Sequence, residues 1–168
     1  MKVFCIVGYS SSGKTSTAEA LIRELKRRGY TVGAVKESHH SIRTDEQGTN
    51  TSRLRQAGAP LVAARSQNET HLFFDTRISI ERILRFFNFD FVVLEGVSDI
   101  DVPQIVTAID IEGIKAKRNE RTFAVSGVIS EKLQEYKGLP VINGVLDTIK
   151  LADLVEEMVN NWVPDGAQ

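Results

Sequence analysis

The chain opens on an unbroken apolar run, Val3-Phe4-Cys5-Ile6-Val7, the pattern of a strand covered on both faces. A short polar break follows. Then Ala18, Leu21, Ile22 and Leu25 recur at i, i+3, i+4 and i+7, the stripe of an amphipathic helix expected over 15–28. Glu19 with Arg23 and Glu24 with Arg28 are i, i+4 pairs on its outer side, and Gly29 stands where a helix ends. Residues 30–35 read as a second strand ending at Lys36. A polar stretch over 37–51 has almost no apolar content, after which Asn50 or Thr51 can cap a short helix through Gln56, closed by Gly58.

The alternation resumes with strands over 61–64 and 71–74, joined by the turn-like Gln67-Asn68-Glu69-Thr70. So short a connection makes them an antiparallel pair, expected at a sheet edge. Ser79 is the N-cap of a helix that turns Ile80, Ile83, Leu84 and Phe87 inward. Residues 89–94 are the most hydrophobic strand and lead into Glu95-Gly96. A further strand covers 104–108, and the basic, polar stretch 111–121 reads as a mobile loop. Its Lys115, Lys117 and Arg118 either meet an anionic partner or are simply solvated. Late strands over 122–125 and 140–142 precede Ser126-Gly127 and Asn143-Gly144, two loops placed to edge a nucleobase. A final helix from about Asp147 carries Leu151, Leu154, Val155, Met158 and Trp162, and residues 164–168 form a flexible tail. Strands alternating with helices give an α/β fold. The expectation is a P-loop NTPase-like three-layer sandwich, its sheet mostly parallel with an antiparallel edge, in one domain over 1–163.

Composition narrows this only a little. A chain of 168 residues with 42% hydrophobic and 26% charged content is ordinary for one globular domain. A net charge of −1 supplies no global field for nucleic acid or a membrane surface, and no apolar run is long enough to span a bilayer. The single Cys5 excludes an internal disulfide and fits a reducing cytoplasm.

Chemistry enters at the polar break between the first strand and first helix. Gly8-Tyr9-Ser10-Ser11-Ser12-Gly13-Lys14-Thr15 satisfies G-x-x-x-x-G-K-[ST] at every specified position, between a strand and a helix as that pattern requires. Gly8 and Gly13 allow the backbone a tight turn and a close approach to an anion. Amide N–H groups at the helix start, Ser16 included, then face phosphate with the positive end of the helix dipole behind them. Lys14 reaches for the β- and γ-phosphates, and Thr15 offers a hydroxyl to Mg²⁺. Asp90 and Glu95 both compete as the acidic partner of that ion. Five residues of strand span about 16 Å, so they lie at opposite ends of the sheet. The phosphate loop leaves the carboxyl end of its strand, and so does Glu95. Glu95 is therefore the candidate for Mg²⁺ or a bound water, and Asp90 a structural carboxylate at the far end.

The order GYSSSGKT, VKESHH, DEQGTNTSRLRQAGA and DFVVLEG resembles the MobB family, P-loop GTP-binding accessory proteins of molybdopterin guanine dinucleotide synthesis. The resemblance covers residues 2–110 in recognisable blocks. It implies GTP and Mg²⁺ as ligands, with Gly8 to Thr15 around the phosphates and Lys36, His39 and His40 lining the site beside them. Asp45 falls near the metal or the attacking water, completing a candidate catalytic set of Lys14, Asp45 and Glu95 and a candidate metal set of Thr15, Glu95 and Asp45. It also implies molybdopterin or the molybdenum cofactor as client, a MobA-type guanylyl-transferring enzyme as partner, and a homodimer. The sequence departs from the family pattern at Glu37, at Thr49 and Asn50, and at Val97 after Glu95-Gly96. His39 and His40, adjacent on an extended loop, point opposite ways, which suits hydrogen bonding to phosphate or pterin better than one shared metal. Guanine preference rests on the resemblance alone, since the N-K-x-D guanine motif is absent. Two other classes fit the same residues: a kinase or ligase acting on a small molecule, and a nucleotide-regulated carrier without catalysis.

Overall fold

The computed structural model describes residues 1–38 and 48–163. By its internal contacts the chain divides into two compact units, one formed by 1–37 and 85–168 and the other by 38–84.

The first unit is built on a five-stranded sheet of β1 (Lys2–Gly8), β2 (Val32–Lys36), β5 (Phe91–Glu95), β6 (Gln104–Thr107) and β7 (Thr122–Ser126), in the order β2-β5-β1-β6-β7. Every pairing in it is parallel. The apolar run of β1 alternates between two covered faces: Phe4 and Ile6 belong to one core cluster, while Val3, Cys5 and Val7 point the other way and are buried too. The first cluster is closed by α1 (Lys14–Arg27), through Ala18, Leu21 and Leu25, and by α5 (Thr148–Met158), through Leu151, Ala152 and Val155. A separate cluster joins Ile114 to Ala108, Val125, Ile129, Tyr136 and Val141. Ile114 belongs to α4 (Ile111–Lys117), a helix packed on β1 and β6. Helix, parallel sheet and helix are the three layers expected of the α/β class.

The second unit holds α2 (Asn50–Gln56), the hairpin of β3 (Leu61–Arg65) and β4 (Thr70–Phe74), and α3 (Ile80–Leu84). The antiparallel pair exists, with Leu61 opposite Phe74 and Arg65 opposite Thr70. It is a two-stranded sheet of its own, not an edge of the parallel sheet. The cap of α2 is Thr49, whose hydroxyl accepts the Ser52 N–H at 3.2 Å, rather than Asn50 or Thr51. Ser79 does cap α3, accepting from Arg82 N–H at 3.3 Å, but the helix stops at Leu84, short of Phe87.

Three further expectations are corrected. The stretch 111–121 is not simply a loop, because its first part is α4. Asp110 accepts the Gly113 N–H at 2.8 Å, and Gly113 and Ile114 are buried. A side-chain cap plus one buried face holds seven residues that composition alone reads as solvated. Trp162 lies beyond α5, its N–H donating to Met1 O at 2.9 Å. Beyond β7 lie a short 3₁₀ turn, Val128–Glu131, and the small hairpin of β8 (Glu135–Tyr136) and β9 (Leu139–Pro140). Residues 140–142 therefore contribute only a strand end and one bridge, Val125 to Val141.

Candidate nucleotide site

The phosphate loop connects β1 to α1 at the carboxyl end of the parallel sheet, where open α/β sheets bind ligands. Its backbone is shaped by the first strand's neighbours. A Cβ at Gly8 would lie 2.3 Å from Thr107 O, so only a glycine fits between β1 and β6 there. Gly13 at φ 99° is the N-cap of α1, and no side chain caps that end. No acidic residue occupies the first turn of α1. Ser12 N–H donates weakly to Tyr9 O (3.4 Å), while the N–H groups of Ser10, Ser11 and Gly13 take no protein acceptor among the described residues. These open donors at the start of a fourteen-residue helix are the arrangement that binds an anion.

The loop's side chains divide into two sets. Ser12 is buried, its hydroxyl donating to Tyr9 O (2.8 Å) and sharing a 2.7 Å hydrogen bond with Thr107 Oγ1. It braces the loop and can meet a ligand only through its backbone. Tyr9, Ser10, Ser11, Thr15 and Ser16 are exposed. Lys14 Nζ folds back over its own loop, donating to Gly8 O (3.0 Å) and Tyr9 O (2.7 Å). Its ammonium is held below the ordinary lysine value, first by burial, with the charges of Lys36 and Lys117 adding to the effect and Glu95 opposing it. A lysine bonded only to neutral carbonyls and pushed by other cations gains from the arrival of an anion.

Glu95, at the end of β5, is where the sequence places it. In register it stands beside Ile6 of β1 and Lys36 of β2, so Lys36 and Glu95 are direct cross-strand neighbours. Glu95 Oε1 accepts from Thr15 Oγ1 and from Lys36 Nζ, each at 2.7 Å, and Lys36 Nζ lies 3.4 Å from Thr15 Oγ1. Burial raises the Glu95 carboxyl, but the bonds from Lys36 and Thr15 outweigh it and leave the group below its ordinary value. Asp90, just before the other end of β5, takes Thr31 N–H and Thr31 Oγ1, both at 2.7 Å on Oδ2, and has no part in the site. Lys117 of α4 reaches the loop from another direction, with Nζ 4.7 Å from the Tyr9 ring centroid. Thr107 and this lysine–tyrosine contact were not legible as site elements in the sequence. For Thr107 the only signal was position, at the carboxyl end of a strand beside β1; Lys117 was named only as one of three basic residues that either meet an anionic partner or are solvated.

His39, His40 and Asp45 lie outside the described residues. Of the proposed base-edging loops, Ser126-Gly127 packs closely on the phosphate loop, since a Cβ on Gly13 would lie 3.2 Å from Gly127 Cα, while Asn143-Gly144 packs on Ser126, whose Oγ accepts Gly144 N–H at 3.0 Å. A cavity of about 360 Å³ lies beside the loop, lined by Tyr9, Ser12, Ala108, Ile109, Asp110, Glu112, Gly113 and Ala116. Among the described residues no group of three His, Cys, Asp or Glu side chains could hold a metal unaided, and no helix is long and apolar enough to cross a membrane.

The model of the family described as "MobB: Molybdopterin guanine dinucleotide synthesis protein B" matches residues 3–131. The chain belongs to the MobB family. A molybdopterin-guanine dinucleotide biosynthesis adapter protein of Haemophilus influenzae is 32% identical over 164 residues, covering 94% of this chain and 87% of the relative. A putative adapter protein of the same description from Methanocaldococcus jannaschii is 31% identical over 120 residues, covering 67% of this chain, which spans half of that relative's length. In fold, the chain is similar to the crystal structure of Bacillus subtilis MobB, with a TM-score of 0.78 at 23% identity over 96% of this chain and all of that one. A MobB homologue from Bacillus stearothermophilus superposes at a TM-score of 0.70, with 22% identity over 93% of this chain and 97% of that one. The MobB structures therefore share the α/β architecture, parallel sheet included.

Proposed function

We propose that this MobB-family protein is a GTP-binding adapter with slow intrinsic hydrolysis that assists molybdopterin guanine dinucleotide synthesis. The observation that carries the nucleotide part is the uncapped α1 terminus with unclaimed loop amides, flanked by the Lys14, Thr15 and Glu95 side chains. The donor set suits Mg²⁺. Thr15 Oγ1 and Glu95 Oε1 are hard oxygens 2.7 Å apart, and they already hold a cation between them in the Lys36 ammonium. Water and phosphate oxygens would complete the shell, as is usual for this ion. Bound there, Mg²⁺ would neutralise charge on the β- and γ-phosphate oxygens.

The chain's own groups bind and orient. Loop amides donate to the phosphates, Lys14 leaves Gly8 O and Tyr9 O for an anionic partner, and Glu95 holds Thr15 in position. Among the described residues, the cations acting on Lys14 are the lysines Lys36 and Lys117, with no arginine. Turnover is accordingly slow without a partner that supplies one. The adapter role, with a MobA-type guanylyl-transferring enzyme as partner, molybdopterin as client and a homodimer as assembly, rests on family membership and on the description of the Haemophilus relative.

Competition of GTP against ATP, followed by calorimetry with Mg²⁺, tests the reading. GTP is expected to bind and to outcompete ATP, and Lys14→Ala to abolish binding with the fold intact. Equal affinity of Lys14→Ala and wild type for GTP would overturn the assignment of the loop. Release of a phosphorylated small molecule in place of inorganic phosphate would favour the kinase class.

A further inference from the structure

Lys36 stands in an unusual place for a residue that merely lines a site. It is the last residue of β2, and the parallel register sets it opposite Glu95, so both side chains leave the same face of the sheet at the same level. Its ammonium donates to the carboxylate oxygen that also receives the Thr15 hydroxyl, and comes within 3.4 Å of that hydroxyl. The three atoms form a closed triangle of one cation and two oxygen donors. Those two donors are the ones that the proposed magnesium position requires. Lys36 itself is well exposed, with 59% of its side chain accessible, whereas the Glu95 side chain is only 12% accessible. A largely buried carboxylate needs a counter-charge in the nucleotide-free protein, and a lysine on a flexible stem supplies one that can leave.

We propose that Lys36 is a resident counter-ion of the magnesium position, which Mg²⁺ must displace from Glu95 and which then pairs with the anionic oxygens of the nucleotide. This rests on the nucleotide reading of the loop and deepens it. The lysine makes Mg²⁺ binding and nucleotide binding interdependent. Without nucleotide, displacing the ammonium leaves it unpaired, so Mg²⁺ binds poorly alone. With nucleotide present, the displaced ammonium has a partner. Nucleotide affinity therefore retains a magnesium-independent part, carried by Lys36 beside Lys14.

The test measures GTP affinity by calorimetry across a magnesium series, including excess chelator, for wild type, Lys36→Met and Lys36→Arg. Lys36→Met keeps the stem and removes the charge. It should shift the magnesium dependence of GTP binding to about two- to fivefold lower magnesium, and weaken GTP binding in chelator by a similar factor, the scale of one partly exposed ion pair. Lys36→Arg, which keeps the charge, should stay near wild type in both. Magnesium dependence unchanged in Lys36→Met would overturn the counter-ion role while leaving the nucleotide reading standing. Failure of the wild-type chain to bind GTP at any magnesium concentration would overturn both.

Discussion

Gly127 lies against Ser12 so closely that a Cβ on Gly127 would fall 2.1 Å from the Ser12 carbonyl oxygen. Val128 N–H donates to that same oxygen at 3.3 Å, and Ala108 N–H to Ser126 O at 3.1 Å. The end of β7 therefore supports the phosphate loop from behind, backbone to backbone. Gly127 also sits at φ 85°, ψ −159°, a region essentially reserved for glycine. Gly127→Ala should lower unfolding free energy by about 2 kcal/mol or more, combining backbone strain with displacement of the loop, and should weaken nucleotide binding in the molecules that remain folded. Gly138→Ala is the matched control: φ is 81° but nothing lies within 4 Å, so it should cost about 1 kcal/mol in strain and leave binding unchanged. Urea denaturation and calorimetry on both variants would check this, and equal effects on binding would remove the bracing role.

The strands of the parallel sheet and the loop between β1 and α1 were readable because each is fixed by local pattern. An apolar run, a glycine-bounded turn and an i, i+3, i+4 stripe need no knowledge of the rest of the chain. That Glu95 and Asp90 stand at opposite ends was readable for a similar reason, since strand rise and chain direction decide which end a residue occupies. What sequence could not show was pairing at a distance. The hairpin of β3 and β4 reads as antiparallel from its short turn, but nothing in it says that it stands apart from the parallel sheet. Likewise α4 is hidden because Ile114 and Gly113 look polar-flanked until Ala108 and Val125 are brought against them. Lys36 was named by resemblance as lining the site, yet its bond to Glu95 follows only from the β2–β5 register.

That register yields a contrast between the two carboxylates of one strand. Glu95→Gln removes the negative partner of Thr15 and Lys36 and should reduce GTP affinity in Mg²⁺ by about tenfold or more, the scale seen when a group that orients a metal site is lost. Asp90→Asn weakens a reciprocal clasp in which Asp90 Oδ2 takes two bonds from Thr31 and Asp90 N–H returns one to Thr31 Oγ1 at 2.9 Å. It should lower the melting temperature and leave GTP affinity at the wild-type value. Loss of binding in Asp90→Asn at a temperature where it is folded would contradict the assignment of the two ends.

The helix that composition disguised depends on one cap. Asp110→Ala removes the acceptor of Gly113 N–H and should destabilise the protein by about 1 kcal/mol. The loss should be local to α4, appearing as faster amide exchange over 111–117 before any change in α1. Because Lys117 is carried by α4 and lies over Tyr9, the lysine–tyrosine contact should loosen as well. Exchange unchanged over 111–117 would show that burial of Ile114 alone holds the helix.

Acid should reveal a second electrostatic device, away from the phosphate loop. Glu24 on α1 accepts from Arg27 Nε (2.7 Å), Arg27 Nη2 (2.8 Å) and Arg28 Nε (2.9 Å). Arg28 continues the network to Glu156 and Asp153 of α5, both at 2.8 Å. The bonds from Arg27 and then Arg28 hold the Glu24 carboxyl down from 4.5 to about 2. A folded-state value below the unfolded one means that the stabilisation is complete above pH 4.5 and is lost as pH falls from there towards 2. Glu24→Gln lacks it at every pH. The melting temperature of wild type should exceed that of Glu24→Gln by a constant amount from pH 5 to pH 7, and the gap should close progressively between pH 4.5 and 2. The network joins α1 to α5, so the gap should close together with loss of that helix packing, seen in the tertiary circular dichroism before the secondary signal. A gap that persists unchanged at low pH would mean that Glu24 acts through packing and not through its charge.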